Sequence, residues 1–369
     1  QNIGMGMWAM TLLLGPALGP IIGGWLTDNW SWHWIFLINV PVALLAIIGG
    51  IALLRPIETE RRVLPIDYVG LGLLVIWVGC LQIILDIGRN HDWFGDPMIV
   101  VLAITSAIAF LIFVIWELTE DHPVVDLRVL RHRGLSVSLV VLAISFGAYF
   151  AGFVIVPQWQ QAWLGYTATQ AGFSSSFTAI AGLLTAPIVV MLMPRIDPRL
   201  LVSAGIVWLA VMALTRTFWT TDSDFWTLTA PQFVQGLGMT FFMLPIINLT
   251  LNTVEEHEVA SAAGLQSFMR TIATAFATSV SLTYWGDTQR AARNDIVGAL
   301  DPAVGDPIAG LGFSTEAALR MLNNMVEAEA TTLSVLHTFW TTSAILLIAA
   351  ALIWLSPRPK RSGGMSMGH

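Results

Sequence analysis

The sequence predicts an all-α protein that crosses a membrane many times, and three observations support this prediction. Apolar residues make up 56% of the 369 residues and charged residues only 11%, whereas an ordinary soluble domain carries roughly 25% charged residues. The mean hydropathy is +0.73. Ten apolar runs of about 20 residues follow one another, and a helix of that length spans the hydrocarbon layer of a bilayer.

None of these runs alternates between polar and apolar residues as a barrel strand would. Each run is therefore predicted to be a helix, because a backbone in lipid must satisfy its own hydrogen bonds. Short polar segments separate the runs. In chain order, the predicted spans are Met5 to Trp25, Trp34 to Leu54, Ile66 to Ile87, Pro97 to Leu118, Gly134 to Val156, Ala168 to Met193, Leu200 to Phe218, Trp226 to Asn248, Ser261 to Tyr284 and Leu333 to Leu355.

The arginines predict how the spans are oriented, because cationic loops stay on the cytoplasmic side. The short outer loops carry only Arg89 and Arg216, and most tryptophans lie at span ends, where their rings favour the headgroup level. Both ends of the chain are therefore predicted to be cytoplasmic. The acidic loop from Val254 to Ala260 breaks this trend without reversing it. The cations assigned to the cytoplasmic side are Arg55, Arg61, Arg62, Arg128, Arg131, Arg133, Arg195, Arg199, Arg358, Lys360 and Arg361.

One outer connection is unusually long. It runs from Gly286 to Thr332 and is rich in Asp, Gly and Pro before a predicted helical stretch from Thr315 to Ala330. We expect that stretch to continue into the last span. A connection of this length exceeds what joining two spans requires, which indicates a functional loop.

Charge and cysteine content exclude several classes of function. The formal charge of −7 is small and dispersed, which excludes a basic nucleic-acid interface. The single cysteine, Cys80, cannot form an intrachain disulfide. No phosphate-binding loop, catalytic group or metal site is assigned. A membrane enzyme would need clustered acids or histidines, and the only candidates are His91 beside Asp92 and His122 beside Asp121.

The ninth span carries a polar stripe, since Gln266, Arg270 and Thr274 recur every four residues and share one helix face. Arg270 lies about ten residues from either end of the span, roughly 15 Å deep, where snorkelling reaches water poorly. An ionisable residue at this depth indicates a cavity-facing, functional role. The alternative is a helix-packing arginine bonded to backbone carbonyls.

Two further spans hold candidate cavity residues. A soft apolar wall with a few polar groups is typical of a surface that binds varied apolar ligands, but the same pattern also fits helix packing and plain interhelical hydrogen bonding. Both interpretations remain open. The candidates are Gln232, Gln235, Met239 and Phe242 in the eighth span and Ser145 and Tyr149 in the fifth.

The first span contains Gly15, Gly19, Pro20, Gly23 and Gly24. Glycines four residues apart give a helix a smooth face, and proline bends the helix. The string resembles the antiporter motif of the major facilitator superfamily, which occurs in the fifth span of exporters that exchange substrate for protons. We expect the glycine face to pack against the sixth span and seal the outer side of a cavity. The small residues of that span are Ala171, Gly172, Ser175, Ala179, Gly182 and Ala186.

Other segments resemble the fourteen-span EmrB/QacA branch of drug:proton antiporters. They are residues 34–41, 92–94, 123–128, 165–172 and 231–236. Pro157 and Gln158, together with the long outer connection, are similar to the Gram-negative EmrB-like multidrug exporters, and Gln158 joins the cavity candidates on this ground.

The resemblance covers essentially the whole chain and implies a major facilitator fold with ten of fourteen spans present. The chain is then expected to be a fragment that lacks the first four spans and the proton-coupling acid they carry. Residues 1–54 would be the last two helices of the amino-terminal bundle, 55–133 an inserted two-helix linker, 134–357 the carboxy-terminal six-helix bundle, and 358–369 a cytoplasmic tail.

The resemblance also implies a function: proton-coupled multidrug efflux of apolar or amphipathic compounds across the inner membrane by alternating access. The proton gradient would drive transport without a cofactor. The implied partners are a small-molecule substrate, the lipid bilayer and, as in Gram-negative members, a periplasmic adaptor with an outer-membrane channel. A dedicated exporter of one metabolite or lipid fits the sequence as well, and a polytopic membrane enzyme is the rival from another class.

Overall fold

The computed structural model describes residues 2–54, 66–300 and 314–357, and within these ranges the regular structure is helical, with no β-strand. Short 3-10 turns join several of the helices. The α-helices are α1 (Asn2–Asn29), α2 (Trp34–Leu37), α3 (Asn39–Leu54), α4 (Tyr68–Ile87), α5 (Pro97–Thr119), α6 (Arg133–Trp163), α7 (Ala168–Leu192), α8 (Pro198–Thr215), α9 (Phe225–Leu251), α10 (Val259–Ala299) and α11 (Thr315–Leu352).

Every one of the ten predicted spans coincides with helix. Eight helical segments of the described chain are long and apolar enough to cross a membrane by length and composition. The first and ninth predicted spans lie on α1 and α10, which are also long helices. The least apolar long helix is α10, because it carries the polar stripe around Arg270 and a charged extension beyond the predicted span. The all-α membrane fold predicted from the sequence is thus confirmed.

Several predictions fall on segments that lie outside the described residues. These are the cytoplasmic arginines Arg55, Arg61 and Arg62, part of the long outer connection (301–313), and the tail 358–369 with Arg358, Lys360 and Arg361.

Side chains at the helix starts explain where most of the bundle helices begin. Thr167 forms a capping box with Gln170 at the start of α7, and Asp197 and Asp224 accept backbone N–H bonds at the starts of α8 and α9. These bonds satisfy donors that a helix start leaves unpaired. The start of each of the sixth, seventh and eighth spans is therefore defined both by the apolar run and by a side chain that caps the helix.

The long outer connection is mainly helical, which corrects the expectation of a loop. The helix α10 continues 15 residues beyond the predicted span end at Tyr284, and α11 begins at Thr315, as predicted. The two extensions pair with each other, since Arg293 forms a 2.5 Å ion pair with Glu327 and Gln289 donates to Thr331 at 2.8 Å. Hydropathy falls at the membrane surface, but the helices continue because they bury one another's outer ends.

Helices α6 to α11 form the carboxy-terminal bundle around a continuous apolar core. In its inner part, Phe242 of α9 lies among side chains of α6, α8 and α11, including Val141, Ile206 and Leu346. In its outer part, Trp159 stacks on Trp219 with ring centroids 5.8 Å apart. Both tryptophans are buried against neighbouring helices.

Glycines allow the bundle helices to approach backbone to backbone. A Cβ at Gly236 of α9 would overlap the carbonyl of Thr178 in α7, and a Cβ at Gly205 of α8 would overlap the backbone of Phe242. Because glycine lacks a Cβ, the helices can pack at these distances. The helix α9 is held on both sides in this way.

The hairpin of α4 and α5 packs against α10 of the bundle. The Ser106 hydroxyl of α5 donates to the carbonyl of Trp77 in α4 at 2.9 Å. Trp77 in turn lies edge-on to Phe268 of α10 at 5.9 Å, and the Ser279 hydroxyl of α10 donates to the carbonyl of Leu85 at 2.6 Å. The hairpin therefore has its own contacts with the carboxy-terminal bundle.

We expect Gly236→Ala to destabilise the bundle, because the new methyl group would overlap the Thr178 carbonyl. Overpacking of this kind costs about 1–3 kcal/mol, so the thermal unfolding midpoint in detergent should fall. Gly182→Ala is the matched control on α7: the nearest atoms to its new Cβ lie at 3.6 Å, an ordinary contact distance. Equal midpoints for the two variants would contradict the close approach of α7 and α9.

Candidate functional site

A buried polar network joins three helices of the carboxy-terminal bundle at Ser174 of α7. Its hydroxyl accepts bonds from the side chains of Gln160 in α6 (3.2 Å) and of Thr229 (3.1 Å) and Gln232 (2.6 Å) in α9. All four side chains are buried. Polar groups removed from water are stable only when they bond one another, so this network fixes how α6, α7 and α9 sit together.

The most deeply buried cation described within the bundle is Arg216, which the sequence placed in an outer loop. Its side chain is only 4% exposed, donates to the amide oxygen of Gln235, and lies over the rings of Trp219 and Phe339 at 5.3 Å each. The two rings and the amide replace the water that a loop would have provided. In the sequence, Trp219 is the one feature near Arg216 that could have indicated the burial of this arginine, because its ring lies against the guanidinium.

The predicted polar stripe of α10 is present. Gln266 is buried, Arg270 is half-buried with its guanidinium 5.7 Å from the centre of the Phe146 ring, and the Thr274 hydroxyl donates to the carbonyl of Arg270 at 2.8 Å. Within the described parts of the chain, Arg270 forms no salt bridge. Its cation is therefore held by an aromatic ring and is more accessible than that of Arg216.

The remaining candidates are divided between the core and the surface. Met239 and Phe242 lie in the inner apolar core, and Tyr149 is buried beside Phe153, with their rings 6.3 Å apart. Ser145 is also fully buried. In this conformation these four pack within the bundle, because the faces of α6 and α9 that carry them point at neighbouring helices.

Gln158 is exposed, whereas Gln160, two residues later, is buried in the Ser174 network. The sequence prediction missed Gln160 because two residues along a helix change the direction of a side chain by about 200°. Only the rotation of α6 about its axis, which its packing sets, decides which glutamine faces inward.

The outer ends of α1 and α7 are joined by a contact that we call the outer latch, formed by Asp28 of α1 and residues Ala168 and Thr169 of α7. The Asp28 carboxylate accepts bonds from the backbone N–H of Ala168 (3.3 Å) and from the backbone N–H and hydroxyl of Thr169 (2.8 and 2.6 Å). These bonds are exposed to solvent. Asp28 therefore caps the start of α7 although it belongs to α1.

Below the outer latch, the two helix backbones touch. Gly24 of α1 lies against the Ala168 carbonyl, and Gly172 of α7 lies against the Pro20 carbonyl. The sixth span is thus the packing partner that the sequence predicted, but the predicted face is only partly right. Within the described residues, positions Gly15, Gly19 and Gly23 have nothing within 4 Å of an added Cβ, because this face of α1 is turned away from α7.

The electrostatics of the outer latch favour the ionised carboxylate. The bonds from the Thr169 side chain and backbone hold the pKa of Asp28 below its ordinary value of 3.8. A second carboxylate is held near the starts of α6 and α10: Glu258 is buried and accepts from Arg131 and His132 at 2.8 Å each. Of the acidic loop that broke the charge pattern, Glu258 is thus paired with two residues of the segment before α6.

The pairs that would support a membrane enzyme do not form a cluster. His91 bonds to Asp96 at 2.7 Å rather than to the adjacent Asp92, and both side chains are partly exposed. Across the described ranges, no group of three or more His, Cys, Asp or Glu side chains is arranged to hold a metal ion.

Comparison with known proteins gives one family match and several relatives. The family model for the Major Facilitator Superfamily matches residues 1–278. The chain is 32% identical to the multidrug export protein EmrB of Escherichia coli K12, covering 99% of this chain and 72% of that protein. It is 31% identical to the fatty acid resistance protein FarB of Neisseria gonorrhoeae (99% and 73%) and 33% identical to EmrB of Haemophilus influenzae (97% and 72%).

We expect Ser174→Ala to lower the free energy of unfolding by about 1–3 kcal/mol, because it leaves buried side-chain donors of α6 and α9 without their acceptor. The control is Ser175→Ala on the same helix, since the Ser175 hydroxyl donates only to the carbonyl of Ala171 in its own helix. Chemical unfolding in detergent compares the two. A loss in the Ser175 variant as large as in the Ser174 variant would count against the network.

The outer latch should weaken only in acid. Because the pKa of Asp28 is lowered in the folded protein, its stabilising effect is complete above the ordinary carboxyl pKa and is lost as pH falls through the lowered value. The distribution of distances between spin labels on Asn29 and Gln161 should stay constant from about pH 8 to about pH 5. It should broaden in stronger acid. Asp28→Asn should broaden it at every pH; an unchanged distribution in that variant would exclude the latch.

Proposed function

Because this chain belongs to the major facilitator superfamily, we propose that it is a proton-coupled exporter that moves apolar or amphipathic compounds, including several classes of drug, by alternating access. The observation that carries this proposal is the contact between α1 and α7, where exposed hydrogen bonds at Asp28 adjoin backbone packing at Gly24 and Gly172. Exporters of this type open and close by rocking two helix bundles about a site between them.

The outer latch has the properties that such a movement needs. Its hydrogen bonds are exposed, so water can replace each one when the helices separate, and the cost of opening stays small. The glycine packing beneath it lets the backbones meet without leaving a gap between them. A contact that seals when closed and separates at low cost is suited to the outer gate of a transporter.

The candidate substrate surface is the polar stripe of α10 around Arg270. Arg270 has a half-buried cation with no salt bridge among the described residues, so it is free to interact with an acid of an amino-terminal bundle or with a substrate group. This cation would lower the pKa of an acid beside it, and the acid would take up a proton when the contact breaks. Arg270 would thereby link proton binding to the bundle movement, with the proton gradient as energy source and no cofactor.

A dedicated exporter of one amphipathic compound is the second candidate. The relative from Neisseria gonorrhoeae is named for fatty acid resistance, which favours a lipid-like substrate for at least one similar protein. A polytopic enzyme has less support, because the histidine and acid pairs lie in outer and inner turns rather than in a shared site. Competition between unrelated apolar compounds for efflux would favour the multidrug exporter, and saturation by a single class would favour the dedicated one.

We place the protein in the inner membrane with both ends in the cytoplasm, following the distribution of arginines. A periplasmic adaptor linked to an outer-membrane channel would then meet the outer extensions of α10 and α11. A groove of about 670 Å³ lies there, lined by Trp163, Met321, Asn324, Met325 and Ala328. Flexible methionines are typical of surfaces that accept an apolar partner, so this groove is the proposed adaptor contact.

We expect Arg270→Ala to abolish proton-driven efflux while the protein still inserts, and Arg270→Lys to retain part of it, because lysine keeps the positive charge but loses the planar guanidinium. Efflux of a fluorescent apolar compound from energised vesicles is measured at several pH values. The matched control is Arg320→Ala, which removes an exposed arginine paired with Glu316 on the outer extension of α11. Wild-type rates and pH dependence in Arg270→Ala would refute the role of this residue.

A further inference from the structure

The hairpin of α4 and α5 contains a buried acid that neither the outer latch nor the polar stripe of α10 uses. Glu117 lies in the last turn of α5 and is fully buried. Asp67 caps the start of α4, and Trp116 donates to it from the end of α5. We call Asp67, Trp116 and Glu117 the hairpin foot. It lies outside the carboxy-terminal bundle and apart from the Ser174 network.

The two oxygens of Glu117 have different surroundings. Oε2 accepts a bond from the backbone N–H of Val125 at 3.0 Å. Oε1 is buried as well, but it has no hydrogen-bond partner within the described residues. When water is excluded, an ionised carboxylate needs a donor or a cation at both of its oxygens. Glu117 therefore fits its surroundings poorly as a carboxylate.

The carboxylate of Asp67 lies beside the unpaired oxygen of Glu117. It accepts bonds from the Trp116 indole N–H at 3.1 and 3.0 Å and from the backbone N–H of Gly70 at 2.8 Å. A Cβ at Gly70 would overlap both Oδ2 of Asp67 and Oε1 of Glu117, so these two oxygens face the same small space. The donors around Asp67 suit a carboxylate, which makes Asp67 the charged member of the pair.

The segment between α5 and α6 adds negative charge to the hairpin foot. Glu120 and Asp126 are close enough to repel a negative charge on Glu117. The arginine of this segment, Arg128, donates instead to the backbone carbonyls of Leu118 and Glu120. Within the described ranges, no arginine or lysine forms an ion pair with either acid of the hairpin foot.

The side of the hairpin that meets the bundle is apolar. There α10 contributes Phe268 and Ile272, which pack against the cluster that includes Phe113 of α5. Arg270 of the same helix lies over the Phe146 ring of α6 instead. A proton on Oε1 of Glu117 would supply the missing donor and remove the buried charge at once.

We propose that Glu117 and Asp67 bind one proton between them as an acid–carboxylate pair. Protonated Glu117 donates from Oε1 to Oδ2 of Asp67, while its Oε2 keeps the bond from Val125. Without the proton, two negative charges share the site, and like charges at this distance cannot both persist at low cost. The pair is separate from the amino-terminal acid considered for transport, so the proposal does not rest on the proposed function.

Loss of the proton has a structural consequence. Val125 belongs to the segment that leads from the hairpin into α6, so its bond to Glu117 joins the hairpin to that segment. An ionised Glu117 is repelled by Asp67 and turns away from it, which also lengthens the bond with Val125. The proton therefore decides how firmly the hairpin is joined to the bundle.

Infrared spectroscopy of the full chain in lipid nanodiscs tests the proposal, because a protonated carboxyl has a carbonyl stretch that an ionised one lacks. The band is recognised by its shift in heavy water. We expect one such band at neutral pH to be lost in Glu117→Gln and also in Asp67→Asn, where the new amide donates to Glu117 and lets it ionise. Asp121→Asn, at an exposed acid of the next segment, should leave the band unchanged.

Three outcomes would overturn the proposal. A spectrum that Glu117→Gln leaves unaltered would show that Glu117 is ionised. A band that persists in Asp67→Asn would show that the proton is not shared. Sodium and potassium are added separately at constant pH, and loss of the band with either ion would identify a cation site instead.

Hydrogen exchange at Val125 tests the structural consequence in the unmodified chain, so it does not depend on whether a variant folds. At the pH where the infrared band is lost, exchange of its N–H should quicken roughly tenfold beyond the ordinary increase with pH, as expected for one broken hydrogen bond. Glu117→Gln keeps both bonds at every pH and should show the ordinary increase alone. The same pH dependence in both proteins would refute the link between the proton and the hairpin.

Discussion

The architecture depends on how closely α7 can approach its two neighbours. On one side, Gly172 of α7 lies against the Pro20 carbonyl of α1. On the other, the Thr178 carbonyl of α7 lies against Gly236 of α9. In lipid, helices gain little from burying apolar surface against each other, so close van der Waals contact of backbones carries much of the association. The helix α7 is therefore the element through which a displacement of α1 reaches the carboxy-terminal bundle.

The hydrogen bonds between polar side chains of the bundle follow from the same close packing of helices. Once α6, α7 and α9 are packed this tightly, water has little access, and the side chains between them must bond one another. Gln160, Ser174 and Gln232 do so. Arg216 instead meets Gln235 and two aromatic rings. The bundle thus keeps a buried cation without a buried carboxylate beside it among the described residues.

The positions of the ten spans could be predicted from the sequence because lipid thickness sets span length, and length and composition are visible in a sequence. The partner of α1 could also be predicted, from the row of small residues in the sixth span. The ends of α10 and α11 could not, because they depend on contacts such as Arg293 with Glu327 that lie beyond the lipid.

The functional side chains were harder to predict, since the depth of a side chain depends on its neighbours rather than on its place along the chain. Arg216 follows the end of α8 and would be exposed if Trp219 and Phe339 did not cover it. The choice between Gln158 and Gln160 depends on the rotation of α6. Periodicity did locate Arg270, because every fourth residue of α10 is polar there. It could not indicate that Phe146 would lie beneath its guanidinium.

The Ser174 hydroxyl also has a consequence for motion. Three side-chain donors converge on its oxygen, but a hydroxyl oxygen has only two lone pairs to share among them. The donors therefore compete, and the bonds from Gln160 and Thr229 (3.2 and 3.1 Å) are longer than the bond from Gln232 (2.6 Å). Of the three helices, α6 is thus held to this oxygen by the longest bond, and we expect a movement within the bundle to lengthen that bond first.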